Sequence, residues 1–403
     1  MSNKPIVIVG AGPAGATLAL LLVKRQIPVV LIEASRNFQR VFRGEGLMPS
    51  GLDAIEAMGL MDLLDRIPHQ PLTSWEFWVE GVPFFSVDEP MGSDRPCTLV
   101  SQPHFLDAVI AEVQQYEGFE FIQGETLQDV VWRGDRITGV KLGDRTIEAA
   151  LVIGCDGRAS GVRSKAKLDL VESGAPFNLL WFKFEQDLEQ ELAAIGSNPF
   201  AVYVQGETVF SLFRGAENQW QVGWVLDDPG DPDWKSITDW RSTLATAAPP
   251  VLAKAFHNYP TAIDRPILLT VRVGLAPQWS RPGGLLLGDA AHPMSPIRAQ
   301  GINMALRDAI VADREISQAW FAGDRAEGLE LRLDRAIQAV QAAREPEIRT
   351  MQALQAAEAH DAAKLHNSAF LRQVIKTIAP LLGPVIRIKW IHRQKTLRHG
   401  LGL

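Results

Sequence analysis

Only two of the 403 residues are cysteine, Cys97 and Cys155, and they lie far apart with no Cys-x-x-Cys spacing. A disulfide scaffold, a structural zinc site and an iron–sulfur cluster are therefore not expected, and no metal ligands are assigned. Basic charge is also short. The 40 Lys and Arg against 47 Asp and Glu leave a net −7, whereas a nucleic-acid binder usually carries a strongly basic domain. No window reaches about 18 uncharged apolar residues, so no transmembrane helix is expected. The apolar run from Ile6 to Val9 is broken at Gly10, too soon for a secretory signal. The chain reads as cytoplasmic. Low-complexity tracts and internal repeats are missing too, and 46% hydrophobic with 22% charged residues is a globular composition. The length suits two domains or one large composite α/β domain.

What is present begins with a strand at 5–9, the turn GAGPAG, a helix over about 13–24 and a second strand at 28–32 ending on Glu33. This is a βαβ unit, and parallel strands joined in this way imply a sheet covered on both faces. From about Trp75 the texture becomes alternating and aromatic, which is strand chemistry, and it returns over about 176–226. Helix dominates from about Ile302. Nucleotide-binding signals at 10–15, 154–163 and 288–303 flank these strands, so one domain is interrupted by another. The expected division is a cofactor domain of 1–72, 97–172 and 266–325, an inserted, mainly antiparallel sheet domain of 73–96 and 173–265, and a helical region of 326–403.

Each motif has a physical reading. Gly10 permits the tight turn, Gly12 lets backbone approach a pyrophosphate, and Gly15 allows close helix–strand packing, with Ala14 between them. The helix N-terminus offers free N–H groups to the anion. Glu33, followed by Ala34, stands where a carboxylate accepts ribose hydroxyls; it would repel a 2′-phosphate, which disfavours a resident NADPH and leaves FAD and NAD. A second strand runs into Gly154-Cys155-Asp156-Gly157, with Ser160 and Arg163 beyond. A third ends at Gly288-Asp289, where an Asp can hold a sugar-like hydroxyl chain, and feeds a helix whose N–H groups around Gly301, Ile302 and Asn303 can face an electron-rich carbonyl.

Taken together, GAGPAG, GCDGRASGVR and GDAAHPMSPIRAQGIN resemble, in order and spacing, the group A flavoprotein monooxygenases, the family of p-hydroxybenzoate hydroxylase and the ubiquinone-biosynthesis hydroxylases. The resemblance spans roughly residues 4–320. It implies an α/β fold: a Rossmann-like FAD-binding domain of the p-hydroxybenzoate hydroxylase type with an inserted substrate sheet and C-terminal helices. It implies FAD bound at Gly10, Gly12, Ala14, Gly15, Glu33, Ala34, Arg43, Gln102, Asp156, Asp289, Gly301, Ile302 and Asn303. NADH or NADPH is the implied transient reductant and molecular oxygen the co-substrate. In that family reduced flavin and oxygen form a C4a-hydroperoxide that hydroxylates an electron-rich ring. Arg43 matches an arginine of the flavin-contacting loop, and Pro296 a loop lying over the isoalloxazine. That loop is usually Gly-rich, yet Arg298 and Ala299 follow Ile297 here. Arg43, Pro296 and Arg298 are therefore the candidates for shaping the reaction, with Arg298 offering charge to a reduced flavin or a phenolate. The halogenase WxWxIP signature is absent.

Other residues are weighed individually. Tyr203, Ser211 and Arg214 on the inserted sheet are candidates to hold an aromatic or quinone-like substrate. His292 reads as a structural hydrogen-bonding group and Cys155 as a small apolar filler. After Asp361 there are eight Lys or Arg and no acid, which against the whole-chain −7 leaves the rest at −15. This segment reads as a helix neutralising an acidic body, or as a weak peripheral contact with an anionic membrane. An FAD-dependent reductase of isoprenoid double bonds and a non-catalytic flavin-binding protein are the competing functions.

Overall fold

The computed structural model describes residues 4–38, 44–92, 94–174, 177–184, 198–226, 233–259, 263–323 and 328–402. The first layer is a six-stranded sheet. Five of its strands, Gly284–Leu286, Leu151–Gly154, Ile6–Val9, Val29–Glu33 and Phe119–Gln123, are adjacent in that order and all parallel, with Ser280–Arg281 antiparallel at the edge beside Gly284–Leu286. Ile6, Val7, Ile8, Leu151, Val152 and Ile153 are fully buried, as strands covered on both faces must be. The helix Pro13–Lys24 covers one face and packs on the helix Gln300–Phe321.

Chain order reverses beside Ile6–Val9: one neighbour follows directly in sequence, whereas the other arrives more than a hundred residues later. Ligands bind at such switch points, beyond the carboxyl ends of the strands. The loops at 10–12, 33–35, 155–160 and 287–290 all leave the sheet on that side.

The second layer is a seven-stranded sheet ordered Ile267–Val271, Phe177–Phe184, Trp220–Leu226, Thr208–Arg214, Pro199–Gln205, Ser74–Val79 and Val82–Asp88. Pairing is antiparallel except between Pro199–Gln205 and Ser74–Val79, the join between the two stretches of chain that build the sheet. The strand Ile267–Val271 pairs with Phe177–Phe184, so this sheet runs past the junction that composition placed at 265.

Residues on a strand alternate between faces, and each face of this sheet has its own core. Leu180, Phe182, Tyr203, Phe210, Leu212 and Val222 pack under the helices Trp240–Ala247 and Pro250–Asn258. Trp75, Trp181 and Phe213 pack with Met48, Cys97 and Leu99 of the cofactor domain and with Trp390 of the C-terminal helix. A small sheet of Gly46–Leu47, Thr98–Val100 and His69–Pro71 joins the layers. The helices Leu329–His366 and Ala369–His399 complete the chain.

Candidate functional site

The three glycines of the first motif do three different things. Gly10 has φ +100°, and a Cβ there would lie 2.4 Å from the Cys155 carbonyl oxygen, so only glycine lets this turn touch the neighbouring strand end. At Gly15 a Cβ would meet the Gly10 carbonyl oxygen at 1.9 Å, which fixes the approach of helix to strand. At Gly12 it would meet nothing within 4 Å. That open flank above a helix N-terminus is the cradle a pyrophosphate fills, and the residues present fit FAD. Ala14 is buried in the first helical turn, with its methyl against Gly288.

Glu33 ends its strand buried, accepting hydrogen bonds from the Ala11 N–H at 2.9 Å and the Ser35 N–H at 2.8 Å. Its carboxylate thus ties the fingerprint turn to the bend at exposed Ala34. Asp156, expected as a cofactor contact, holds its own loop: its oxygens accept from the Ser160 hydroxyl at 2.5 Å and the Val162 N–H at 3.0 Å. Burial pushes its pKa up against these bonds. Arg163 then donates to the Ala290 carbonyl at 2.8 Å, locking the second motif to the third.

In the third motif Asp289 is partly exposed, with Arg158 3.6 Å away, and one of its oxygens lies 4.0 Å from where a Cβ on Gly301 would stand. The strand end and the following helix N-terminus therefore share one small volume. Gly301 and Ile302 lie in the first turn of that helix, where N–H groups have no intrahelical acceptor, and Asn303 follows directly. The Asn303 side chain is buried; it accepts from the Met48 N–H at 2.9 Å and donates to the carbonyls of Gly46 at 3.1 Å and Ala299 at 2.7 Å. Arg43 lies outside the described residues. Gln102 opens the helix Gln102–Val113 with its side chain buried, just beyond the strand that pairs with Gly46–Leu47.

Arg298 is a correction. It was expected to offer its charge to the flavin side, but its guanidinium donates to Glu358 at 2.9 Å and stacks 4.6 Å from the centre of the Trp75 ring and 4.7 Å from that of Trp390. Both partners of this ion pair are buried. Pro296 sits in a loop held from the same helix: Gln355 donates to the carbonyls of Ser295 and Ile297 at 2.9 and 2.7 Å. The substrate candidates divide by strand parity. Ser211 faces the cofactor domain, between Trp181 and Gly223. Tyr203 and Arg214 do not: Tyr203 stacks on Trp78 in the core under the helices, and Arg214 lies over the ring of Trp220 in that same core.

Two groups were not foreseen. Glu45, next to the Arg43 loop, accepts from the Ala216 N–H at 3.1 Å and from Gln221 at 3.3 Å, and Gln221 accepts from the Trp181 indole at 2.8 Å. Burial raises the Glu45 pKa. This polar chain crosses the interface between the two layers. Behind the third motif, Asp308 accepts from the Gly288 N–H at 3.0 Å and faces His292 at 2.7 Å and Arg344 at 2.8 Å; Glu347 joins Arg344 to Arg307. His292 thus has the structural part expected of it. Nothing in the local sequence marks Arg344 or Glu347, which sit on a helix some forty residues on.

Residues 3–330 match the FAD binding domain family. The chain is 29% identical over 357 residues to a 6-methylpretetramide 4-monooxygenase of Streptomyces rimosus, covering 86% of this chain and 81% of that one. It is 25% identical over 353 residues to a 6-hydroxynicotinate 3-monooxygenase of Bordetella bronchiseptica, with 79% and 84% covered. Among solved structures, PqsL of Pseudomonas aeruginosa in complex with 2-aminobenzoylacetate superposes with a TM-score of 0.75 at 21% identity, over 93% of this chain and 99% of that one, and shares its fold.

Proposed function

The chain belongs to the FAD binding domain family and is an FAD-dependent monooxygenase, and from that premise we propose that it hydroxylates an aromatic or quinone-like small molecule held between the cofactor motifs and the inserted sheet. NADH or NADPH is the transient reductant and molecular oxygen the co-substrate. One oxygen atom enters the substrate as hydroxyl and the other leaves as water, while the nicotinamide loses a hydride.

The observation that carries this reading is the composition of the sheet face turned to the cofactor domain. Trp181, Phe200 and Phe213 form an apolar, aromatic wall there, with ring centres of Phe200 and Phe213 5.3 Å apart. Ser211 is a half-buried hydroxyl on the same face. Such a wall favours a flat, apolar substrate and excludes water from the reacting centre. The Ser211 hydroxyl can donate to a ring carbonyl or accept from a phenol.

FAD supplies the redox and oxygen chemistry; the chain binds and orients it. With FAD bound, the Gly12 cradle and the helix N-terminus would receive the pyrophosphate, Glu33 and Asp289 would accept hydroxyls, and the helix start at Gly301–Asn303 would face the ring carbonyl. Glu45, bridged through Gln221 to Trp181, holds the wall in register with the flavin-side loop. Kinship to enzymes named for pretetramide and hydroxynicotinate substrates supports an aromatic ring.

The test is a panel of phenols, quinones and polyketide-like aromatics, scored for stimulation of NAD(P)H oxidation with matching oxygen uptake. A stimulating compound recovered with one added oxygen bears the proposal out. Turnover without oxygen uptake would point instead to a reductase.

A further inference from the structure

The C-terminal helix Ala369–His399 has two unlike faces. The inner face is anchored. Arg372 pairs with Glu80 at 2.8 Å, Arg398 donates to Glu89 at 3.1 Å, and Gly383 lies so close to the strand Val82–Asp88 that a Cβ there would be 2.3 Å from the Phe84 carbonyl oxygen. By length and apolar content the helix would suffice to cross a bilayer, but this fixed inner face lays it along the protein instead.

The outer face is apolar and uncovered. Phe370 is 80% exposed, Leu381 76%, Val385 51% and Ile388 67%. Leu381, Val385 and Ile388 recur at four- and three-residue spacing and make one stripe beyond the kink at Ile378; Phe370 and half-buried Val374, four apart, lie before it. Cations rim it. Lys376, Lys389 and Lys395 are exposed and have no acidic partner among the described residues, unlike Arg372, Arg393 and Arg398, which pair with Glu80, Asp361 and Glu89. Arg387 donates to the Ser86 carbonyl, on the side of the helix that packs against the strand Val82–Asp88.

We propose that this face docks the protein on an anionic lipid bilayer, with Leu381, Val385 and Ile388 entering the interface and Lys376, Lys389 and Lys395 contacting lipid phosphates. An apolar stripe flanked by cations is the pattern that lies in the plane of a membrane surface. A second copy of the chain fits poorly, because a twofold pairing of the stripe would set each cationic rim against its own image. The docking would bring an apolar substrate and the enzyme to the same surface.

The experiment is flotation of the FAD-loaded protein with vesicles of phosphatidylcholine alone or with about a third phosphatidylglycerol, at low salt and at several times physiological salt. Wild-type protein is expected to float with the anionic vesicles at low salt and to be released by high salt. Replacing Lys376, Lys389 and Lys395 by Ala together should weaken binding about a hundredfold, each cation near the surface contributing about fivefold. Leu381→Glu with Ile388→Glu should abolish flotation while FAD content and melting temperature stay at wild-type values. Wild-type protein that stays unbound, or binding unaffected by the double Glu variant, overturns the proposal. So does a concentration-dependent dimer that the double Glu variant dissolves without any vesicle binding, which would make the partner a second copy.

Discussion

Gly15 lies so near Gly10 that a methyl group on it would stand 1.9 Å from the Gly10 carbonyl oxygen, whereas the same methyl on Gly12, three residues earlier, would meet nothing within 4 Å among the described residues. Two glycines of one motif thus serve different ends, one the packing of the fold and the other the approach of a ligand. Gly15→Ala is expected to destabilise the protein by more than about 1 kcal/mol, since backbone must shift to accept it. Gly12, at φ −73°, accepts a side chain without strain. Gly12→Ala should keep the wild-type melting temperature of the FAD-free protein and weaken FAD binding. Thermal melts of the FAD-free variants and fluorescence titrations with FAD check both.

Asp289 stands at the strand end beside Gly301, 3.6 Å from the Arg158 guanidinium. A hydroxyl bound to a charged group contributes roughly 1.5–3 kcal/mol. Asp289→Ala should therefore weaken FAD retention by about tenfold to a hundredfold while leaving the fold intact, measured by flavin lost on gel filtration.

The Arg298 guanidinium is tied to buried Glu358 and sandwiched between Trp75 and Trp390. Arg298→Met would leave Glu358 buried without its cation, at a cost of about 3 kcal/mol. The flavin absorbance spectrum and reduction potential should stay at wild-type values. A shifted potential with unchanged stability would restore the flavin-side part expected from sequence.

Asp308 has its pKa pushed up by burial, but the charges of His292 and Arg344 outweigh this and hold it at about 2, below its ordinary 3.8. A carboxylate depressed by folding adds stability above its unfolded pKa, and that stability is lost as pH falls through the folded value. Wild-type stability should therefore fall between about pH 4 and pH 2 more steeply than that of Asp308→Asn. At neutral pH the variant should be less stable by about 3 kcal/mol, since Arg344 and His292 lose their shared anion. Urea denaturation across this range checks both expectations.

The legible parts of the fold were those where local backbone needs dictate residue type. Gly10, Glu33 and Asp289 stand at strand ends where a turn or a carboxylate is required, Gly15 stands in the following helix where a close contact is required, and the order of the motifs pointed to an interrupted domain. Alternation marked the inserted sheet but not its facing, because a period of two is unchanged when the faces are exchanged. Ser211 therefore could not be told from Tyr203 and Arg214 until the sheet was paired and covered. The ion pair of Arg298 with Glu358 and the cluster of Asp308 with Arg344 join residues far apart in sequence through helix packing, which no local pattern encodes. The pairing of Phe119–Gln123 with Val29–Glu33, which completes the parallel sheet, likewise joins segments far apart in sequence.

The central claim is that one atom of molecular oxygen is transferred to the substrate. Mass analysis of the product formed under ¹⁸O-labelled dioxygen, with NAD(P)H and a compound that stimulates its oxidation, tests it most directly. The expected product carries one labelled oxygen, with no turnover under nitrogen. An unlabelled product, or full turnover without oxygen, would contradict it.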